Sequence, residues 1–264
     1  MSIHTTDAII LRERDLRETS LLVTFYTRDF GKIKGLIKGV RGPKGPLGYQ
    51  VQVFTLNKIV FYESKKADIH IVSQCDLTDF FEDIRKDIVK TGYAYYFVEL
   101  VDALTESNEK SAEIFELLLN SLNLLKGDAS PKRVARILEI KLLALSGVMP
   151  RLDACVSCGA EINTNKRDLP RTVPHNGTGA RVRFSYKFGG LLCAKCASQD
   201  VSSRRILAGT VNFIDHIERA PYEKAENIKV SKDVGEELEE IMSKFLAYQL
   251  DTQLKSLEFL SKIT

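Results

Sequence analysis

The sequence predicts an α+β protein in which an N-terminal five-stranded barrel of the OB-fold type precedes an α-helical domain carrying an inserted four-cysteine module. Three observations carry that expectation. The first 80 residues alternate with period two, the following stretch shifts toward a period of 3.6, and Cys155-Val-Ser-Cys158 is separated by 34 residues from Cys193-Ala-Lys-Cys196. Side chains alternate across a strand but recur every three to four positions on a helix, so a change of period marks a change of architecture. The expected domains are a barrel over residues 1–80 and a helical domain over 81–264, with the cysteine module at 151–205.

The candidate strands are Asp7–Leu11, Ser20–Thr27, Lys32–Val40, Val51–Tyr62 and Asp68–Gln74. Each is rich in Ile, Val, Thr, Phe or Tyr, and Gly, Pro or Asp separates several of them. Five short strands in so small a segment suit a closed barrel, and the OB-fold is a barrel of five strands. Cys75 ends an apolar strand and reads as a small buried residue.

Ile84 and Ile88 open a helical pattern that runs through Tyr93–Phe97 to Leu104, and Ile114, Leu118, Leu122 and Leu125 continue it. Ser130-Pro131 supplies a side-chain acceptor at the N-cap and a proline at the first helical position. The helix so started carries Val134, Leu138, Leu142 and Leu145 on one face and stops near Gly147 and Pro150. Val234, Leu238, Ile241, Phe245 and Tyr248 predict a last amphipathic helix packing back on the bundle. The carboxylates of Glu236–Glu240 read as a solvated face of it.

Two CxxC knuckles supply the four thiolates that tetrahedral zinc prefers, so Cys155, Cys158, Cys193 and Cys196 are the expected ligands of one zinc ion. Gly159 follows the first pair, where a knuckle turn favours positive φ. Two disulfides are the alternative. The chain opens Met-Ser-Ile-His-Thr-Thr-Asp, without the basic and apolar regions of a secretory signal, so a reducing cytosol is expected and metal is favoured. A complete protein shell leaves no open coordination position, which makes the zinc structural rather than catalytic. The polar excursion 159–192 is long for a loop, and a metal at its base would fasten its ends.

Composition excludes a membrane span, because charges interrupt every apolar stretch. The net charge is only +3, but it is unevenly spread. Residues 1–79 carry 12 basic and 9 acidic side chains, residues 80–130 carry 5 and 10, and residues 151–205 carry 10 and 4. Segregation of this kind makes a local field in a nearly neutral chain.

The densest basic run is Gly31–Lys58, with six basic residues and no acidic one. On a strand, Lys32, Lys34 and Lys38 share one face while Ile33 and Ile37 turn to the core. Arg41 and Lys44 extend the charge into a glycine- and proline-rich loop. Tyr49, Phe54, Phe61 and Tyr62 are near enough in sequence to offer base-stacking surfaces. The expectation is a surface that tracks phosphates. No GxxxxGK[ST] and no GxGxxG between strand and helix is present, and His4, His70, His175 and His216 are scattered outside any HExxH pattern. No enzyme active site is expected.

Three stretches carry a resemblance to a known family: Ile9-Ile-Leu-Arg-Glu-Arg-Asp-Leu-Arg-Glu-Thr-Ser followed by Thr27-Arg-Asp-Phe-Gly-Lys and Lys38-Gly-Val-Arg; Leu138-Glu-Ile-Lys-Leu-Leu-Ala-Leu-Ser-Gly-Val-Met-Pro leading into Cys155-Val-Ser-Cys158-Gly; and Phe188-Gly-Gly-Leu-Leu-Cys193-Ala-Lys-Cys196. In this order they resemble the RecO recombination-mediator family, while residues 80–130 and the last 60 show no diagnostic motif. The resemblance implies DNA repair and homologous recombination: binding of single- and double-stranded DNA, annealing of complementary strands and, with the RecR protein, help in loading RecA onto DNA coated by single-strand-binding protein. It implies a cytoplasmic, nucleoid-associated bacterial protein. It maps the family's basic barrel surface to Arg12, Arg14, Lys32, Lys34, Lys38 and Arg41, and its metal ligands to the four cysteines. Lys132, Arg133 and Arg136, at the start of an amphipathic helix, are candidates for holding the acidic tail of the single-strand-binding protein. An RNA-binding or transcription-associated adaptor is the alternative that the fold and charge leave open.

Overall fold

The computed structural model describes residues 2–16, 19–39, 51–64, 68–162, 182–225, 228, 231–250 and 253–263. Its first five strands are β1 (Ile3–Leu16), β2 (Ser20–Thr27), β3 (Gly31–Ile37), β4 (Leu56–Tyr62) and β5 (Ile69–Asp79). They close into a barrel in the order β1-β2-β3-β5-β4, with β3 and β5 parallel and the other neighbours antiparallel. Closure depends on the length of β1. Its first half, Ile3–Ile9, pairs with β4, and its second half, Ala8–Leu16, pairs with β2. A register shift between Ile10 and Arg12 leaves Leu11 unpaired, a bulge that bends the strand between its two partners.

The sequence pattern places β1 only at Asp7–Leu11, where both faces are apolar and Ala8, Ile9, Ile10 and Leu11 are all buried. Beyond that run its side chains are polar except for Ile3 and Leu16 at the two ends, and the strand continues through its pairing with β4 and β2. β4 is shorter than expected, because Phe54 takes a left-handed φ of 54° and donates its N–H to Ile10. The barrel core is filled by Ala8, Ile10, Val23, Phe25, Ile33, Ile37, Ile59, Phe61, Val72 and Cys75. Burial, with Asp76 adding to it, pushes the Cys75 thiol up to about 12, which suits an inert packing residue.

The helices are α1 (Glu82–Arg85), α2 (Ile88–Leu104), α3 (Ala112–Lys126) and α4 (Pro131–Leu145). The continuous pattern expected from Ile84 is broken: the Asp87 carboxylate accepts from Val89 and Lys90 N–H at 2.8 and 3.1 Å and starts α2 anew. Ile84 is buried whereas Ile88 is 61% exposed, so the two do not share a stripe. α4 begins at Pro131 as its sequence demands. It ends at Gly147 (φ 69°), with Val148 N–H bonded to Leu143 and Gly147 N–H to Ala144, a Schellman closure.

After the first cysteine pair come β6 (Arg183–Ser185), β7 (Gly190–Leu192), a 3₁₀ turn (Ala197–Gln199), β8 (Arg204–Arg205), α5 (Ala208–Arg219), α6 (Tyr222–Ala225), α7 (Lys232–Gln249) and α8 (Lys255–Ile263). The chain forms two compact units, residues 1–138 with 254–264, and residues 139–253. The expected boundary at 80/81 follows the change of period, whereas the compact units divide inside α4.

In the first unit α8, an amphipathic helix absent from the expected elements, packs on α2. Gly92 permits the approach, since a Cβ there would lie 2.8 Å from Leu260. The Glu99 carboxylate accepts the N–H groups of Lys255 and Ser256 at 3.0 and 2.9 Å and caps the helix. In the second unit α7 departs from expectation in two ways. Tyr248 is 59% exposed and leaves the stripe, which is completed by Met242 and Leu246. The helix packs on α5 and, through Phe245 against Phe184 at 6.0 Å, on the small sheet. Nor is its acidic face merely solvated. Glu237 accepts the Leu207 N–H at 2.8 Å at the start of α5, and Glu240 pairs with Arg204 and Lys244.

Candidate nucleic-acid interface and candidate metal centre

Strand alternation holds in β3, where Gly31, Ile33, Gly35 and Ile37 are buried and Lys32, Lys34 and Leu36 are partly open. Cross-strand register extends that face. Lys34 lies opposite Thr24, and Thr24 lies opposite Arg12, so Lys34, Thr24 and Arg12 form one row across three adjacent strands. In the next row on the same face, Leu36, Leu22 and Arg14 are aligned. Glu13 and Asp15, which interrupt the bases in sequence, pair with the core residues Val23 and Leu21 and are turned to the opposite face. Alternation has sorted the charges of Arg-Glu-Arg-Asp by sign. Lys38 is exposed just past the end of β3, and Arg41 and Lys44 lie outside the described residues.

Not every predicted cation faces solvent. Lys32 is only 12% exposed; its Nζ donates to the Asp102 carbonyl at 2.6 Å and pairs with the Asp102 carboxylate at 3.3 Å. Arg12 shares that carboxylate at 3.4 Å but remains 64% exposed. Lys58 stands opposite Asp7 on one side and Asp76 on the other, partners that a window of sequence could not supply. The aromatics divide similarly. Phe61 is in the core, and Phe54 is buried under the Arg85 guanidinium at 3.8 Å, so neither offers a stacking surface. Tyr62 is partly open on the outer wall, and Tyr49 lies outside the described residues. On α4, Lys132 and Arg133 are exposed and Arg136 is half-buried, and each is already engaged within the fold.

The four cysteine sulfurs, two of them buried, lie within 4.8 Å of one another and all are free thiols. Cys158 Sγ and Cys193 Sγ are 3.8 Å apart, too far for a disulfide. That separation matches the edge of a tetrahedron built on Zn–S bonds of about 2.3 Å, which is about 3.8 Å. Each knuckle is folded by its own backbone: Gly159 (φ 75°) donates to Cys155 at 2.9 Å, and Cys196 and Ala197 donate to Cys193 at 3.0 and 2.9 Å. Val156 N–H bonds Leu191 at 2.8 Å, tying the first knuckle to the strand that leads into the second.

Burial would raise the Cys155 thiol, but N–H groups of Cys193, Cys158 and Ser157 converge on it and bring it down to about 6. The Ser157 side chain favours the thiolate of Cys196, yet burial and the three neighbouring sulfurs hold that thiol up at about 11. Four thiolates this close repel one another unless a cation sits among them, and the sulfurs are placed to hold one metal ion. Much of the module's positive charge is used internally, Arg183 on Ser203 and Arg204 on Glu240. Lys187 and Lys195 are exposed, while Lys166, Arg167, Arg171 and Arg181 fall outside the described residues.

A closed barrel with this strand order and a basic row on its wall, followed by helices and a four-thiol cluster placed to hold a metal ion, defines an OB-fold protein with a four-cysteine module. Among the described residues no helix is long and apolar enough to cross a membrane. The chain belongs to the recombination protein O family, whose N-terminal model matches residues 1–81 and whose C-terminal model matches residues 85–258. It is similar to the DNA repair protein RecO of Symbiobacterium thermophilum, 29% identical over all of this chain and 98% of that protein. The RecO proteins of Moorella thermoacetica and Caldicellulosiruptor saccharolyticus are 30% and 32% identical, covering 97% and 95% of this chain and 90% and 95% of their own lengths.

Proposed function

We propose that this protein acts in DNA repair and recombination as a mediator that binds single- and double-stranded DNA and anneals complementary strands. With RecR, it assists the loading of RecA onto DNA coated by single-strand-binding protein. Family membership supports the repair role. The observation that carries DNA binding is the row Lys34–Thr24–Arg12, in which cations stand on one outer face while the interleaved acids are turned away. Annealing needs no bond chemistry. It needs two polyanions held together, and lysine and arginine contacts supply that by offsetting phosphate repulsion and releasing counterions.

One zinc ion held by Cys155, Cys158, Cys193 and Cys196 fits the cluster best, because four thiolates in a closed tetrahedral set are its usual structural site. Its contribution is to hold the module folded. The deciding experiment is annealing of complementary strands coated with single-strand-binding protein, with RNA binding measured alongside. Accelerated DNA annealing is expected. Tighter binding to RNA without annealing would move the reading to an RNA-binding adaptor.

A second contact is proposed at Lys132, Arg133 and Arg136, where the cationic first turns of α4 would receive the acidic tail of single-strand-binding protein. Arg136→Glu is expected to weaken a labelled tail peptide by about tenfold or more, the size of one charge-assisted contact. Equal affinity in the two proteins would remove the site.

A further inference from the structure

His4 and His70, far apart in sequence, come together at one end of the barrel. They share a cavity of about 520 Å³ with Phe30, Phe61, Glu63 and Lys110. That volume falls within the range of about 300–1,000 Å³ typical of small-molecule sites. The cavity belongs neither to the basic row nor to the cysteine cluster.

Its interior is aromatic and its edge is polar. Phe61 forms a floor, with the His4 and His70 rings each 5.3 Å from it, and both histidines are inclined to it by 40° or less. Phe30 and His4, 4.7 Å apart, are the half-open walls. The main-chain N–H of Ser64 donates to His70 Nδ1 at 3.2 Å, which leaves that ring neutral with its proton on Nε2. Desolvation by burial pushes His70 the same way, below the usual histidine range. Glu63 is 46% exposed at the rim, and His4 Nε2 holds one of its carboxylate oxygens at 3.2 Å.

The opposite wall is the α2–α3 connection, and it is fixed in place. Asn108 N–H bonds the Lys32 carbonyl at 2.8 Å, and the Lys32 ammonium is held at the end of α2 by Asp102. Gly31 (φ 65°) allows the approach, because a Cβ there would stand 1.8 Å from the Glu109 carbonyl. Lys110 is thereby held with its Nζ 5.2 Å from the Phe30 ring centroid.

We propose that this cavity receives one nucleobase of an unpaired strand, and that it favours guanine. The half-open rings of Phe30 and His4 offer the faces on which a base stacks, while buried Phe61 and His70 only close the floor beneath them. Glu63 and Asp68 at the edge exclude a phosphate from the interior and ask instead for donors. Guanine presents two such donors side by side, its ring N1–H and its exocyclic amine, which a carboxylate can accept together, whereas thymine presents a single imino N–H. Among the described residues that line the cavity, Lys110 is the cation placed to meet the phosphate of the same nucleotide. Binding a base of a longer strand rests on the DNA-binding reading above; occupancy of the cavity by a nucleotide does not.

The test is titration of the full-length protein with dGMP or dTMP while the ring-proton signals of His4 and His70 are followed by NMR, with His216 as an internal control. The expected result is a saturable shift of both signals by dGMP, at least about tenfold tighter than by dTMP, the discrimination of one good bidentate contact. In Glu63→Gln that preference should fall about tenfold while the control signal is unmoved. Equal response to the two nucleotides, or none, overturns the proposal. Tighter binding of acetyl-arginine amide at the same signals also overturns it, in favour of a protein partner. A preference for dGMP in a protein that binds no oligonucleotide would leave the cavity standing and remove the DNA-binding reading instead.

Discussion

Cys193→Ser is expected to unfold the segment around residues 151–205 while leaving the barrel intact, and to lower the zinc content from one per chain to well below it. The small sheet gives the reason. Its order is β7-β6-β8, with strands of only two or three residues, and its buried apolar side chains are Phe184, Leu191 and Leu192. Closing the 34 residues between the cysteine pairs costs about 3 kcal/mol from loop length alone, before any residue is ordered. Metal coordination supplies roughly 10–16 kcal/mol in small zinc modules, so it decides whether such a segment folds. The barrel has its own core from Ala8 to Cys75 and does not draw on the metal. Amide hydrogen exchange on the full chain would separate the two, with protection lost at Phe184–Leu192 and kept at Val23–Ile37. Loss of protection in both, or in neither, would show that the clip has a different role. Elemental analysis of the untreated protein provides the direct check on the metal.

The division between what the sequence shows and what it hides follows the range of the interactions. The cysteine tetrad was legible because ligand spacing is local chemistry, and the fold brings its four sulfurs together. The five strands were legible from alternation, but their ends were not, since β1 extends over polar residues that only a partner strand makes regular. Lys32 and Lys34 look equivalent in sequence, two positions apart on one face. Asp102, seventy residues away, separates them by holding Lys32 and leaving Lys34. Asp7 and Asp76 do the same to Lys58. The pairing of His4 with His70 had no local signal at all, because it arises where the first strand and the start of β5 meet across β4.

That distinction predicts which lysines matter for DNA. Lys34→Glu with Lys38→Glu is expected to weaken single-stranded DNA by about 100-fold at low salt, since each hydrogen bond to a charged group contributes roughly 1.5–3 kcal/mol. The salt dependence should flatten as well, the slope of log K against log salt falling in magnitude by about 0.7 for each single-strand phosphate that the variant no longer neutralises. Lys32→Met is the informative contrast. Its ammonium is 12% exposed and bonded to Asp102, so its removal should disturb the packing of α2 and thermal stability while leaving the salt slope unchanged. Fluorescence anisotropy across a salt titration measures all three proteins under the same conditions. If the double variant bound as the parent does, the row Lys34–Thr24–Arg12 would not be the DNA surface. If Lys32→Met flattened the slope as steeply, phosphates would be reaching a side chain that the fold holds inward, and the division of charges drawn from the strand register would be wrong.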